Sequence, residues 1–495
     1  MSIAPYGIGI SSALRSADTF RSLKSELGAL QTQLSTGKKA TSYSGLGGTA
    51  ATSLSARARL ASLDATGSGI ASGQLRVKLA GQGVGQIASM GSSLLTSLPR
   101  SLSSKPIGQT TVMISADDGL KQAIDLLNTE VDGRYLFSGR SQDVQPVASY
   151  DLILNGDATH AGLKQLVSER KAADLGTSGL GRLTVANSGT TSTISEESAG
   201  LPFGFKIQSA SATGMGLTAT SSAGPPASAQ LGVAAQPAAG DTISVVFGLP
   251  NGTTTTFTLT AKAEAGVKNG FQIGANAATT AANFQAALGT ALATAASTTL
   301  AGASAAKAAQ DFFAGSTSSP PVRVGGPPFD TATGTVAGTA ANTVVWYRGD
   351  DAAGSARATA PVKTDAGSIG IGLRANEAGI QAVLSGLGAL VGQTFASTDP
   401  SSDDRYAATV DAMSTLLGGD GMEQITADMS VASAALDAAQ TRVSTATNQV
   451  QDTLAGAEDA DPNEVAMKLL AAQTKLQASY QTTSTIAKLS LVNFL

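Results

Sequence analysis

The 495-residue chain contains no cysteine. Disulfide frameworks, thiolate zinc sites and cysteine nucleophiles are thereby excluded. Histidine is nearly absent too: His160, in Gly156-Asp157-Ala158-Thr159-His160, is the single one. No histidine cluster can hold a metal, and a lone histidine in such a loop reads as solvated. Charged residues make up 14% of the chain, net charge −4, with no basic run. That argues against nucleic acid as a partner. Aromatics are 4% while glycine and alanine are abundant, so small residues rather than rings are expected to fill the core. No strongly apolar, uncharged run reaches 18 residues; the stretch around Ala286–Ala309 is laced with Thr, Ser and Gly, so no membrane span is expected. Met1–Ile10 lacks a positive region and is broken by Pro5, Gly7 and Gly9, unlike a secretory signal peptide.

Catalytic patterns are weak. Ser35-Thr36-Gly37-Lys38 and Ser168-Glu169-Arg170-Lys171 fit S-x-x-K, but Ser-Asp-Asn and Lys-Thr-Gly companions are missing. Gly37-Lys38 lacks the upstream glycine of a P-loop, and Lys39 stands where Ser or Thr belongs. Gly81-Gln82-Gly83-Val84-Gly85 has no preceding strand and no dinucleotide-binding spacing, so helix contact or helix breakage is the better account. Adjacent carboxylates such as Glu196-Glu197, Asp350-Asp351 and Asp403-Asp404 would diverge on either a strand or a helix. Neither an enzyme nor a cofactor or metal site is expected.

Helical patterning is strong at both ends. Asp461-Pro462-Asn463-Glu464 combines an N-cap, a first-position proline and a capping-box glutamate. Behind it, Val465, Leu469, Ala472, Leu476, Ser479, Thr483, Ile486 and Leu489 step by three or four. The end, through Leu491, Phe494 and Leu495, stays apolar and is expected to be covered. Phe20, Leu23, Leu27, Leu30 and Leu34 alternate the same steps, the a/d signature of a coiled-coil seam. Each stripe is too narrow to bury much alone, so the two helices are expected to cover each other and present outer faces to neighbouring subunits.

Further helices are expected from about Thr49 to Leu63 and Gly69 to Leu98, with the glycines of the second marking close contacts or breaks. Ser115-Ala116-Asp117-Asp118 predicts another helix start, with Leu120, Ile124, Leu127 and Val131 as its stripe and Gly133 as its stop. Helix is expected again over Leu373–Val391, Asp403–Leu417 and about Met422–Ala457. Between them the character changes. Ser211–Pro320 carries six charged residues: Asp241, Lys262, Glu264, Lys268, Lys307 and Asp311. Thr242–Phe247 and Thr253–Thr260 alternate around Leu249-Pro250-Asn251-Gly252, a hairpin pattern. Leu183–Val185, Phe203–Ile207 and Val344–Tyr347 are further strand candidates, with a helix near Ala281–Ala293. The expected class is mainly α with a β-rich insertion: both chain ends form a long antiparallel, coiled-coil helical rod, and the middle forms an outer β domain.

Four motifs resemble the bacterial flagellin family. Gln33-Leu34-Ser35-Thr36-Gly37-Lys38-Lys39, after the seam helix, resembles the family's start. Asp132-Gly133-Arg134-Tyr135-Leu136-Phe137-Ser138-Gly139 is similar to its G-x-Y-L-F-x-G signature, here Gly133, Tyr135, Leu136, Phe137 and Gly139. The end, Leu476-Gln477-Ala478-Ser479-Tyr480 through Leu495, resembles the hook–filament junction members, as does the Phe-Ser-Gly form of the signature. Leu373-Arg374-Ala375-Asn376-Glu377 is similar to a segment preceding the C-terminal helices in some members. The resemblance implies terminal core helices (1–45 plus 458–495), a helical shaft (46–149 plus 366–457) and a surface-exposed β-rich domain (150–365). It implies a structural subunit of the extracellular flagellum that polymerises through its terminal helices, with the hook-associated junction type favoured and the main filament flagellin as alternative. Implied partners are copies of itself, other axial proteins (hook-associated proteins and flagellin), an export chaperone and the export apparatus. Without the resemblance, the same pattern would also fit a secreted adhesin with a helical stalk.

Overall fold

A computed structural model describes residues 8–103 and 107–492. In chain order the helices are α1 (Ile8–Thr36), α2 (Ala50–Ser103), α3 (Ile107–Leu127), α4 (Tyr150–Asn155), α5 (Leu163–Leu175), α6 (Ala277–Ala295), α7 (Ala301–Phe313), α8 (Ala378–Val391), α9 (Ser402–Leu417), α10 (Gly421–Glu458) and α11 (Pro462–Val492). The strands are β1 (Glu130–Val131), β2 (Arg134–Tyr135), β3 (Leu183–Ser188), β4 (Thr191–Glu196), β5 (Lys206–Ala212), β6 (Leu217–Ser222), β7 (Ser228–Val233), β8 (Thr242–Gly248), β9 (Thr254–Lys262) and β10 (Gly270–Gln272), followed by short pairs beyond Arg323. Long terminal helices with sheets between them make the fold mainly α with a β-rich middle. Backbone contacts separate two units. One holds Met1–Ser72, Lys363–Gly367 and Leu436–Leu495; the other holds Gly73–Val362 and Ser368–Ala435.

In the first unit α1 and α11 pack together. They run antiparallel, since Leu30 clusters with Val465 and Ala472 while Phe20 meets Tyr480. Asp461 caps α11, its Oδ1 accepting from the N–H groups of Asn463 (2.8 Å) and Glu464 (3.4 Å). Glu464 itself bonds Lys468 one turn on, at 2.6 Å, so the cap is single-sided. At the other end, Gly37 stops α1 with φ of 68°, a left-handed step that glycine takes without strain.

α2 is longer and less interrupted than its glycines suggest. It runs unbroken through Gly67, Gly69, Gly73, Gly81, Gly83, Gly85 and Gly91. Seven-residue spacing explains it: Ala56, Leu63, Ile70, Val77, Val84, Gly91 and Leu98 are all buried. Some of the glycines are contact points. A Cβ on Gly73 would lie 2.7 Å from Val362, on Gly83 3.4 Å from Phe137 and on Gly91 3.3 Å from Val383.

The second unit departs from expectation in several places. α3 begins at Ile107, so Ser115–Asp118 is mid-helix and caps nothing; Asp117 instead pairs with Lys121 and accepts from the Tyr150 hydroxyl. The helix stops at Leu127, and Val131 belongs to β1. α8 starts only at Ala378, because Leu373–Ala375 is taken up by main-chain pairing. Val344–Tyr347 makes single bridges rather than a strand: Tyr347 pairs once with Val147. α5 and α7 are helices inside the stretch expected to be β-rich. α7 packs against α5, α8 and α9, and its small side chains permit close approach: a Cβ on Gly302 would lie 2.8 Å from the α9 backbone at Ala408.

The sheets follow their alternation. β3-β4-β7-β6 is antiparallel throughout; β10-β9-β8-β5 is antiparallel except for the parallel β10–β9 pair. In the β8–β9 turn, Gly252 N–H donates to Leu249 C=O at 3.0 Å, and Gly252 takes φ of 84°. Inward residues of both sheets share one core with α6, including Phe205, Phe247, Phe271 and Phe284. Rings are therefore not minor in this core, as their scarcity suggested. They are few but concentrated: Phe137, Phe203, Phe312, Phe313, Trp346, Tyr347 and Tyr406 are also fully buried.

Candidate assembly site

The seam is graded along its length. Leu30 is buried, Phe20, Leu23 and Leu27 are half-buried, and Leu34 is exposed. Facing them on α11, Val465 and Ala472 are buried and Leu469 and Leu476 half-buried. Phe20 and Tyr480 meet edge-to-face, with ring centroids 4.9 Å apart. The helix backbone is described at Ile486, Leu489 and Leu491, but not their side chains; Phe494 and Leu495 lie outside the described residues. A second set of apolar side chains on α11, Met467 (68% exposed) and Leu470 (66%), has no cover in the monomer.

A polar clasp closes the buried end of this seam. Glu458, the last residue of α10, has a side chain only 7% exposed. It accepts two hydrogen bonds from Arg57, from Nε and Nη2 at 2.7 Å each, and a third from the Ser53 hydroxyl. The Arg57 pair and the Ser53 bond pull its carboxyl down to about 2. Lys38 Nζ bonds Asp459 at 2.6 Å, and that bond holds the Lys38 ammonium above its ordinary value. Main-chain bonds add to the join: Lys39 N–H to Glu458 C=O at 2.7 Å, and Ala460 N–H to Gly37 C=O at 2.9 Å. The Ser-Thr-Gly-Lys-Lys segment thus ties the end of α1 to the α10–α11 turn. Its S-x-x-K match is structural, and so is the other: Glu169 pairs with Arg323 and Arg170 with Asp174. Ser53, Arg57 and Glu458 carry no local signal in the sequence, because their partnership spans about 400 residues of chain.

In the second unit two separately recognised motifs meet. Asp132 and Gly133, with φ of 53° and 74°, turn β1 into β2, both central residues being left-handed as a two-residue hairpin requires. Tyr135 is half-buried, and Leu136, Phe137, Ser138 and Gly139 are buried. Gly139 N–H donates to Leu373 C=O at 2.9 Å, and Ala375 N–H to Phe137 C=O at 2.9 Å. Gly139 needs its left-handed φ of 65° and its bareness, since a Cβ there would lie 2.9 Å from Asp350. Arg374 bonds Asp350 at 2.9 Å; burial pushes the Asp350 carboxyl up, but this bond and its neighbours leave it below its ordinary value. Glu377 pairs with Arg357, yet burial dominates and raises its carboxyl.

Residues 419–495, spanning all of α10 and the described part of α11, match the model of the bacterial flagellin C-terminal helical region. The match supports a bacterial flagellin-family protein. No curated protein matches it. The matched region contains Glu458, Asp461, Val465 and Ala472, the residues on which the clasp and the seam close. A flagellin-family chain is a structural subunit of the extracellular flagellum, self-polymerising and associating with other axial proteins. Among the described residues no helix is long and apolar enough to cross a membrane, and no group of three or more His, Asp or Glu could hold a metal ion.

Proposed function

We propose that this chain is the hook-associated subunit at the hook–filament junction and has no enzymatic role. The observation that carries this is the Phe137-Ser138-Gly139 form of the signature, together with the Leu489–Leu495 ending. The main filament flagellin is the second candidate, favoured by the 495-residue length. In either role the terminal helices (1–45 and 458–495) form the inner core and the remaining helical sections the shaft. The stretch 150–365 supplies the outward-facing domain.

Assembly proceeds by completing helices that the monomer leaves half-covered. The packing residues we assign to this assembly are Phe20, Leu23, Leu27, Leu30, Leu34, Val465, Leu469, Leu476, Ile486, Leu489, Leu491, Phe494 and Leu495, and neighbouring subunits cover what α1 and α11 leave open. The exposure of Met467 and Leu470 supports this. Before incorporation, an export chaperone covers the terminal helix and the chain passes through the export apparatus unfolded, to which its lack of cysteine is suited.

Immunogold microscopy of native cells with antibody to residues 150–365 tests the subtype. A single cluster where hook meets filament is the expected result, and label along the whole filament would make the chain the main flagellin. Replacing Leu27 and Leu30 together by Asp is expected to abolish incorporation while the sheet core stays folded. Normal incorporation of that double variant would refute the seam assignment.

A further inference from the structure

Between the β8–β9 hairpin end, the α6–α7 junction and α9 lies an open cleft of about 490 Å³. Its walls depart from regular backbone at two points. Ala296–Leu300, joining α6 to α7, forms a π turn, and Asn269 holds φ of 57°. Both kinds of departure concentrate at functional sites.

The polar groups lining the cleft are unevenly satisfied. Thr298 bonds the Thr294 carbonyl at 2.7 Å, as a helical threonine ordinarily does. Among the described residues, the half-buried Thr299 hydroxyl and the exposed Asn269 amide and Asp411 carboxylate have no protein partner and are open to solvent in the cleft. Partial desolvation by the cleft walls pushes the Asp411 carboxyl up, although the residue itself stays exposed. The Phe257 ring forms a half-buried apolar wall beside them.

Charge narrows the choice of ligand. Lys268, Asp404 and Asp411 are the charged residues of the lining. Lys268 is already bonded to Asp404 at 2.7 Å, which leaves the single negative charge of Asp411. Anionic ligands are repelled. A purely apolar ligand would bury a carboxylate, an amide and a hydroxyl without partners, at a cost of roughly 1–3 kcal/mol each. What fits is a ligand with many hydroxyls and one apolar face. Its hydroxyls donate to Asp411 and exchange bonds with Asn269 and Thr299, while its C–H face lies on Phe257. The volume is within the range of small-molecule pockets, roughly 300–1,000 Å³.

We propose that this cleft binds a short neutral or amino-bearing saccharide, held by Asp411, Asn269 and Thr299 against Phe257. The activity is additional to assembly and independent of where in the flagellum the subunit sits.

The test applies labelled full-length protein to a printed array of neutral, amino and sialylated oligosaccharides, with calorimetric titration of any that bind. Neutral or amino saccharides are expected to bind and sialylated ones not. Asp411→Ala and Asn269→Gly are each expected to weaken binding about tenfold or more. Glycine keeps the left-handed backbone at position 269 while removing the amide, and an unchanged melting temperature verifies that each variant is folded. Three results would overturn the proposal: no saccharide binds, only sialylated ones bind, or both variants bind as the parent does. The first would make the cleft a solvent-filled crevice; the last would place binding elsewhere on the chain.

Discussion

Two apolar surfaces in this molecule are built on the same principle and finished to different degrees. On α6, Phe284, Leu288 and Leu292 are fully buried, each one turn from the next, under the two sheets. On α1, Phe20, Leu23, Leu27 and Leu30 keep an equally regular spacing, yet Leu30 alone among them is buried. The α6 stripe is covered by residues of its own chain, from Leu183 to Phe271. The α1 stripe has a single helix against it, much of whose own surface is open. Regular spacing therefore states that a surface is to be covered, and only the supply of partners states by what. A sheet core closes within one chain; a helix pair of this width is left to be closed by its neighbours.

The contrast can be broken most forcefully in the sheet core. Phe284→Ala empties a fully buried ring site and is expected to destabilise the second unit by about 3–5 kcal/mol in chemical denaturation. A small loss would mean that the core is less closed than its burial implies. Leu30→Ala should cost less, about 2 kcal/mol, because few side chains surround it. Hydrogen exchange of the monomer gives the same ordering without mutation: strong protection over 243–300, weak protection over 15–36. Comparable protection in both would erase the difference.

The clasp sharpens the comparison through pH. Glu458 is held at about 2, below an ordinary value of 4.5. Its contribution is therefore complete above about 4.5 and is lost as pH falls through about 2. Limited proteolysis near Gly37 and Asp459 should accelerate across that window in the parent chain. In Glu458→Gln it should be fast at neutral pH and nearly flat with pH. The smallest effect is expected from Met467→Ala and Leu470→Ala, which should each change monomer stability by no more than about 0.5 kcal/mol. If those side chains are covered in the polymer, the same substitutions slow assembly, read as light scattering on seeded growth.

How much was legible in the sequence follows from the same contrast. α11 could be read from Asp461-Pro462 and its stripe, because a cap and a one-sided pattern are local properties. The β8 and β9 strands were legible through their alternation. α7 was not: Ala301 to Ala306, Ala308 and Ala309 are all buried, and its polar face is confined to Lys307, Gln310 and Asp311 near its end, too short a stripe to stand out. The glycines of α2 promised either contacts or breaks, and what decided between them, Val362, Phe137 and Val383, lies far away in the chain. Ser115–Asp118 resembled a cap because the same residue types also suit an exposed helix interior. The proposed seam residues follow from spacing alone, whereas Ser53, Arg57 and Glu458 become partners only once the chain has folded back on itself.

The hydrogen bond between Gly139 and Leu373 fixes a geometric property of the chain. The intervening residues leave and return at one point, so they form a closed excursion with no net displacement of the backbone. Length added or removed at the tips of its sheets would shift neither β2 nor α8. The freedom has a floor, because Leu163 and Phe313 reach Gly388 of α8 so closely that a Cβ there would meet them at 2.9 and 2.8 Å. Lineages of this chain can therefore diverge widely in the sheets, while α5 and α7 remain bound to the shape of what they rest on.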